Sequence, residues 1–199
     1  MQLRRYVLTR RTAAALLLGL AVAGCASRPA TDGTASAAFN DTDTAWLQLV
    51  IPMDERASLL IDLAPARAGH ATVAAWAEEA GRRLRDELGD LRELLEVSGV
   101  PDTRPHEGHD MPGMVTLDTV RRARTATGEN FDRLFTGSLR AHLVQVRMLC
   151  ASERTSGSAE RAHDLAAAIE RSAARQITRL DALPVPGRST SGTRRPART

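Results

Sequence analysis

Apolar residues recur at steps of three and four along most of this chain, and that spacing commits it to helices. They fall at Val73, Trp76, Ala77, Ala80, Leu84, Leu88, Leu91 and Leu95, one face of a 3.6-residue repeat. Phe131, Phe135, His142, Val146 and Leu149 mark a second stripe, and Leu165, Ile169, Ala173, Ile177 and Leu180 a third. A fourth carries Trp46, Leu47, Val50 and Ile51 and resumes at Leu59, with Pro52 inside it. Proline lacks the N–H that the helix ladder needs, so a kink or an opened ladder is expected there. Residues 99–114 read as a loop and 117–126 as a short helix. Six aromatics in 199 residues argue against a β sandwich. Four long amphipathic helices within residues 39–183 point to an all-α chain folded as a four-helix bundle.

The two halves look related. Asp54 and His142 stand 88 positions apart, as do Leu60 and Met148; Glu87 and Gln176 stand 89 apart, as do Trp76 and Leu165. The predicted organisation is a signal segment 1–24, a tether 25–38, a bundle 39–183 and a basic tail 184–199. Within the bundle, halves 39–98 and 116–183 are joined by the loop 99–115.

The ends are addresses and tethers. Arg4, Arg5, Arg10 and Arg11 precede an apolar run over residues 13–23. That run is too short for a bilayer, which takes about 20 residues, and has the order of a signal peptide. It closes on Val22, Ala23, Gly24 and Cys25, resembling a bacterial lipobox, which implies cleavage before Cys25 and lipid on its thiol. The export route, general secretory or twin-arginine, stays open. The tether is small and polar, and the tail is rich in Pro, Gly, Ser and Arg, as suits disorder. With Cys25 lipidated, Cys150 has no partner and reads as a small buried hydrophobe.

Charge follows the same division. The formal net charge is +3, yet all 24 acidic residues lie between Asp32 and Asp181. Eight of the 27 cationic residues, all arginine, sit before residue 25 or after residue 183, leaving 19 against 24 and a net of −5 for the middle. A nucleic-acid-binding body is disfavoured.

The stretches FNDTDTAWLQLVIPMD, beginning at Phe39, and HEGHDMPGM followed by GENFDRLF resemble the bacterial domain-of-unknown-function family 305. The resemblance covers residues 39–183. It implies an exported, ferritin-like bundle, and some relatives are associated with copper handling. Phe39, Asn40, Asp43, Gln48, Ile51, Pro52, His106, His109, Met111 to Met114, Gly128, Phe131, Asp132 and Phe135 match its motifs. The family's paired histidines are Met53 and Asp54 in the first half and Ala141 and His142 in the second. Of four, one remains. The family's Gln-x-x-Glu-Ile motif appears as Leu84, Glu87 and Leu88, then as Ala173, Gln176 and Ile177.

Two candidate sites follow. At 100° per residue, Asp54, Glu87, His142 and Gln176 each fall on the apolar stripe of a different long helix. Buried polar groups need partners, since an unpaired amide or hydroxyl costs roughly 2–7 kcal/mol. The four therefore form either a ligand set for Zn, Fe or Mn or a hydrogen-bonded network, with Asp54 and His142 as one pair. The second candidate is the loop carrying His106, His109, Met111 and Met114, where imidazole suits Cu(II) and thioether suits Cu(I). Alternatively the methionines pack and the histidines are solvated. Glu160 and His163 have the i, i+3 spacing of a di-iron helix, but the motif occurs once and a di-iron site needs more carboxylates.

A Gly-rich phosphate loop, a Cys-x-x-Cys pair and a nucleophile elbow are missing from the sequence. The reading is a non-catalytic, membrane-anchored lipoprotein of the cell envelope, with weak or vestigial binding of copper or zinc. Its alternative is a structural or protein-interaction lipoprotein that has lost the metal. Expected partners are membrane lipid through Cys25 and a second copy or an envelope protein, with no nucleic acid. Lipidation at Cys25 is checked by detergent phase partitioning of the expressed chain. The natural sequence should enter the detergent phase and Cys25→Ser the aqueous one, and an aqueous natural chain would refute the anchor.

Overall fold

The computed structural model describes residues 39–106 and 108–184. The signal segment, Cys25, the tether to residue 38 and the tail from residue 185 lie outside the described residues. Six helices follow one another among the described residues: α1 (Asp41–Ile61), α2 (Ala64–Arg67), α3 (Ala71–Ser98), α4 (Leu117–Thr125), α5 (Gly128–Ser156) and α6 (Glu160–Asp181). No strand occurs among the described residues, where extended pairing is limited to a single bridge between Ala68 and Gly128.

Local chemistry sets the helix starts. The first N–H groups of a helix lack intrahelical partners. The Asn40 side chain accepts from the N–H groups of Thr42 and Asp43 at 2.8 and 3.0 Å. In return the Asp43 carboxylate accepts the Asn40 N–H at 2.6 Å. This reciprocal capping box starts α1. Thr116 caps α4 by accepting from the Thr119 N–H at 3.0 Å. α1 continues through Pro52.

α1, α3, α5 and α6 form the bundle. α1 and α3 make one hairpin through the single turn of α2, and α5 and α6 make the second through residues 157–159. The start of α1 meets the end of α5, because Asn40 Nδ2 donates to the Ser156 carbonyl at 2.8 Å. Glu79, early in α3, pairs with Arg179, late in α6, while Glu93, late in α3, pairs with Arg161, early in α6. Adjacent helices are therefore antiparallel all round the bundle.

The connection from α3 to α5 crosses from one end of the bundle to the other, and α4 packs on both α1 and α5 along it. Gly113, at φ +76°, lies so close to α5 that a Cβ would stand 2.3 Å from the Gln145 Cβ. Only glycine permits both that backbone conformation and that approach.

The core is the sum of the four stripes. Leu47, Val50, Leu60, Val73, Leu91, Phe131, Phe135, Val146, Cys150 and Leu180 are all at most 1 % exposed. The rings of Phe131 and Phe135 stack at 5.4 Å, and Trp76 meets Phe135 edge-on at 5.9 Å. Aromatic pairs of this geometry add stabilisation beyond burial. Phe135→Ala should destabilise the fold by about 3–5 kcal/mol, measured by urea denaturation. A loss below about 1 kcal/mol would show that Phe135 is not a central packing residue.

Candidate functional site

The helix stripes bring Asp54, Glu87 and His142 together midway along the bundle. Asp54 is 0 % and His142 2 % exposed, and His142 Nε2 lies 3.2 Å from Asp54 Oδ1. The two side chains come close, but hydrogen bonding is incomplete: both Asp54 oxygens and His142 Nδ1 are buried without an aligned N–H or O–H partner. The Glu87 side chain reaches Asp54 closely enough to bridge the two carboxyls through one proton.

Burial governs the titration of all three. It pushes Asp54 up, only partly opposed by the Glu87 hydrogen bond. It also raises Glu87, to which the neighbouring Asp54 charge adds. The His142 imidazole goes down to about 4, burial outweighing the attraction of Glu87. At neutral pH the centre therefore holds a neutral imidazole beside a carboxyl pair that keeps a proton.

Gln176 is the fourth member, half-buried on α6, and its Nε2 donates to Ser172 Oγ at 3.3 Å. It lines a cavity of about 20 Å³ with Glu87, His142, Ala80, Leu84 and Ala173. That space holds about one water or one ion. Glu87 also lines a shallow surface groove with Arg83, Asp86, Asp90 and Ser172. Half-buried, it stands between the cavity and solvent.

The loop candidates separate. Met114 is buried at 7 % exposure and Met111 packs partly on the core, whereas His109 is exposed. His106 and Met114 line a pocket of about 280 Å³ with Pro52, Glu55, Arg56, Leu59 and Arg104. His109 and Met111 do not line that pocket. Cys150 is fully buried as a free thiol that burial holds protonated.

Two further buried aspartates, read from the sequence only as family motif positions, are structural latches. Asp43 accepts from the Ser158 and Ala159 N–H groups at 3.1 Å, at the start of α6. Asp132 accepts from the Gly69 and His70 N–H groups at 3.0 Å, at the start of α3, and its Oδ2 lies 2.6 Å from His70 Nδ1. Positions 43 and 132, 69 and 158, and 70 and 159 are each separated by 89. The internal repeat is thus a repeated interaction.

Beside Asp43 lie Glu153 and His163, whose ligand atoms and one from Asp43 fall within 4.8 Å of one another. The helical stripes offered no sign of this group. Glu153 belongs to the last turn of α5 and His163 to the first turn of α6, so their meeting depends on the turn between them. Asp43 is held low: burial would raise it, but the hydrogen bond from Glu153 and those from the Asn40, Ala159 and Ser158 N–H groups outweigh that. Glu153 is pushed up to about 8 by burial and by the adjoining Asp43.

Bundle, buried acid–imidazole centre and paired latches define an all-helical bundle with an internal two-fold repeat. The model of the family described as "Domain of unknown function (DUF305)" matches residues 43–183, and the chain belongs to that family. Comparison with curated proteins gives no match. Among solved structures, a DUF305 protein from Streptomyces coelicolor, described as a candidate secreted protein, is similar with a TM-score of 0.63 and 14 % identity. The similarity covers 70 % of this chain and 90 % of that one. At that identity the likeness is one of fold.

The titration shifts have a definite sign. Glu153 and Asp54, raised on folding, contribute stability that is complete below their ordinary values near 4 and is lost as pH rises through about 8. His142, depressed to about 4 from 6.5, contributes above pH 6.5 and loses that contribution as pH falls. Between pH 6.5 and 8.5 only the carboxyls act, so unfolding free energy should fall with rising pH, by at most about 1.4 kcal/mol per pH unit for each proton. Urea denaturation across this window checks it. Asp54→Asn and Glu153→Gln should each flatten the slope, and a natural chain of constant or rising stability would contradict the shifts.

Proposed function

We propose that this chain is an exported, lipid-anchored lipoprotein of the cell envelope whose bundle core binds a transition metal weakly, without catalysis. One observation carries the metal reading: Asp54 and His142 are buried, His142 Nδ1 without a partner and Asp54 without any donor besides the Glu87 proton, and His142, Glu87 and Gln176 line a cavity the size of one ion. A cation there would draw the proton off the carboxyl pair and engage an imidazole that is already neutral. The half-buried Glu87 supplies the route from the surface groove.

The donor types favour particular ions. Carboxylate oxygens and one imidazole nitrogen suit Zn(II) or Cu(II), whereas the loop thioethers of Met111 and Met114 are the groups that would take Cu(I). The extracytoplasmic location rests on the signal-like N-terminus and on the related protein described as a candidate secreted one. Among the described residues no helix is long and apolar enough to cross a membrane, so the anchor of this reading is the lipid on Cys25.

A second reading has its own support. The Asp54–His142 contact and the Asp54–Glu87 proton partner these groups without metal, as a structural or protein-interaction lipoprotein would require. Titration of the full-length chain in detergent with Cu(I), Cu(II) and Zn(II) separates the two. The metal reading expects binding tighter than roughly millimolar that is lost in His142→Ala. Loss in a His106→Ala/His109→Ala chain instead would move the site to the loop. The absence of binding for all three ions would leave the structural lipoprotein.

A further inference from the structure

We propose that Asp43, Glu153 and His163 form a second divalent-cation site, suited to Zn(II), at the end of the bundle where α1 begins and α5 turns into α6. Each residue comes from a different helix, and their ligand atoms lie within 4.8 Å of one another. Glu153 is 0 % exposed. Neither of its oxygens has a standard donor, and the buried Nε2 of His163 lacks a partner as well. A proton bridging Glu153 and Asp43 would satisfy the carboxyls, yet it would leave the imidazole nitrogen alone. A cation engages all three.

The opposite end of the bundle, where Asp132 meets an imidazole from His70, shows that the latch itself needs no second carboxylate. At the same 89-residue offset, Glu153 and His163 correspond to Ala64 and Ala74. There Asp132 holds the Gly69 and His70 N–H groups without a second carboxylate. Burying Glu153 therefore adds a costly, poorly partnered carboxyl that the fold does not require. The turn is also shaped around it. A Cβ on Gly157 would lie 2.3 Å from Glu153 Oε1 and 2.7 Å from Asp43 Oδ1, so a larger residue fits there only if the carboxylates shift.

The donor set is two carboxylates and one imidazole, which leaves a fourth tetrahedral position for water. Asp43 is already oriented by N–H donors from Asn40, Ser158 and Ala159 and by the Ser158 hydroxyl at 3.1 Å. Ligating carboxylates are commonly held this way. Zn–O and Zn–N bonds of about 2.1 Å place ligand atoms about 3.4 Å apart. Rotation of the half-buried His163 ring and of the Glu153 side chain closes the remaining distance.

The test titrates the full-length chain in detergent with Zn(II) against a chromophoric chelator, and with Co(II) as a spectroscopic probe. The site predicts one equivalent of Zn(II) that Glu153→Gln and His163→Ala each weaken at least about 50-fold and His142→Ala leaves in place. The Co(II) visible bands should disappear with the same two substitutions. His163 is half-buried, so His163→Ala should keep the fold by circular dichroism even if Glu153→Gln does not. Failure of the natural chain to bind Zn(II), or an equivalent unchanged in His163→Ala, overturns the proposal. An equivalent lost only in His142→Ala also overturns it while leaving the core reading intact.

Discussion

The bundle depends on two buried carboxylates that hold the N–H groups of the two residues just before helices α3 and α6. Buried backbone N–H groups need acceptors, and a carboxylate there also meets the positive end of the helix dipole. Asp43 serves α6 from the first turn of α1, and Asp132 serves α3 from the start of the second turn of α5. Each latch thus ties one hairpin to the other, at opposite ends of the molecule. With both ends fastened, the four stripes can face inward only in one register, which aligns Asp54 with His142.

That register has an electrostatic consequence. Most of the interior is aliphatic and aromatic, so the groups placed among it keep their charge only with difficulty. His142 is driven neutral, and Asp54, Glu87 and Glu153 are driven toward their protonated forms. On the surface the opposite holds: Glu79, between Arg83 and Arg179, is pulled down to about 2. Glu55 is likewise held low, as Arg104 and Arg92 outweigh its partial burial. The acidic body is therefore less acidic inside than its residue count implies.

Much of this was legible in advance. The stripes located α1, α3, α5 and α6, and the short helix expected over 117–126 is α4. The family motifs pointed to membership in DUF305, which the match over residues 43–183 bears out. The inward placement of Asp54, Glu87 and His142 followed from helical phase alone. Phase could not say that Glu87 and Gln176 would be only half-buried, or that Met114 would be buried while His109 stays in solvent. Loop side chains have no period from which to read their direction. The turn of α2 was also missed, being a single turn of four residues.

By itself the sequence determined which residues are helical, which face of each helix is apolar and which polar groups interrupt those faces, because such properties repeat every 3.6 residues. Only the tertiary structure decided which polar groups meet. Asp43 reaches Ser158 across 115 positions, and Glu153 and His163 come together through a turn whose closeness rests on Gly157. Contacts of that kind are set by how helix ends close on one another. No local pattern encodes them, so the second cluster of ligating side chains appears only once the bundle is assembled.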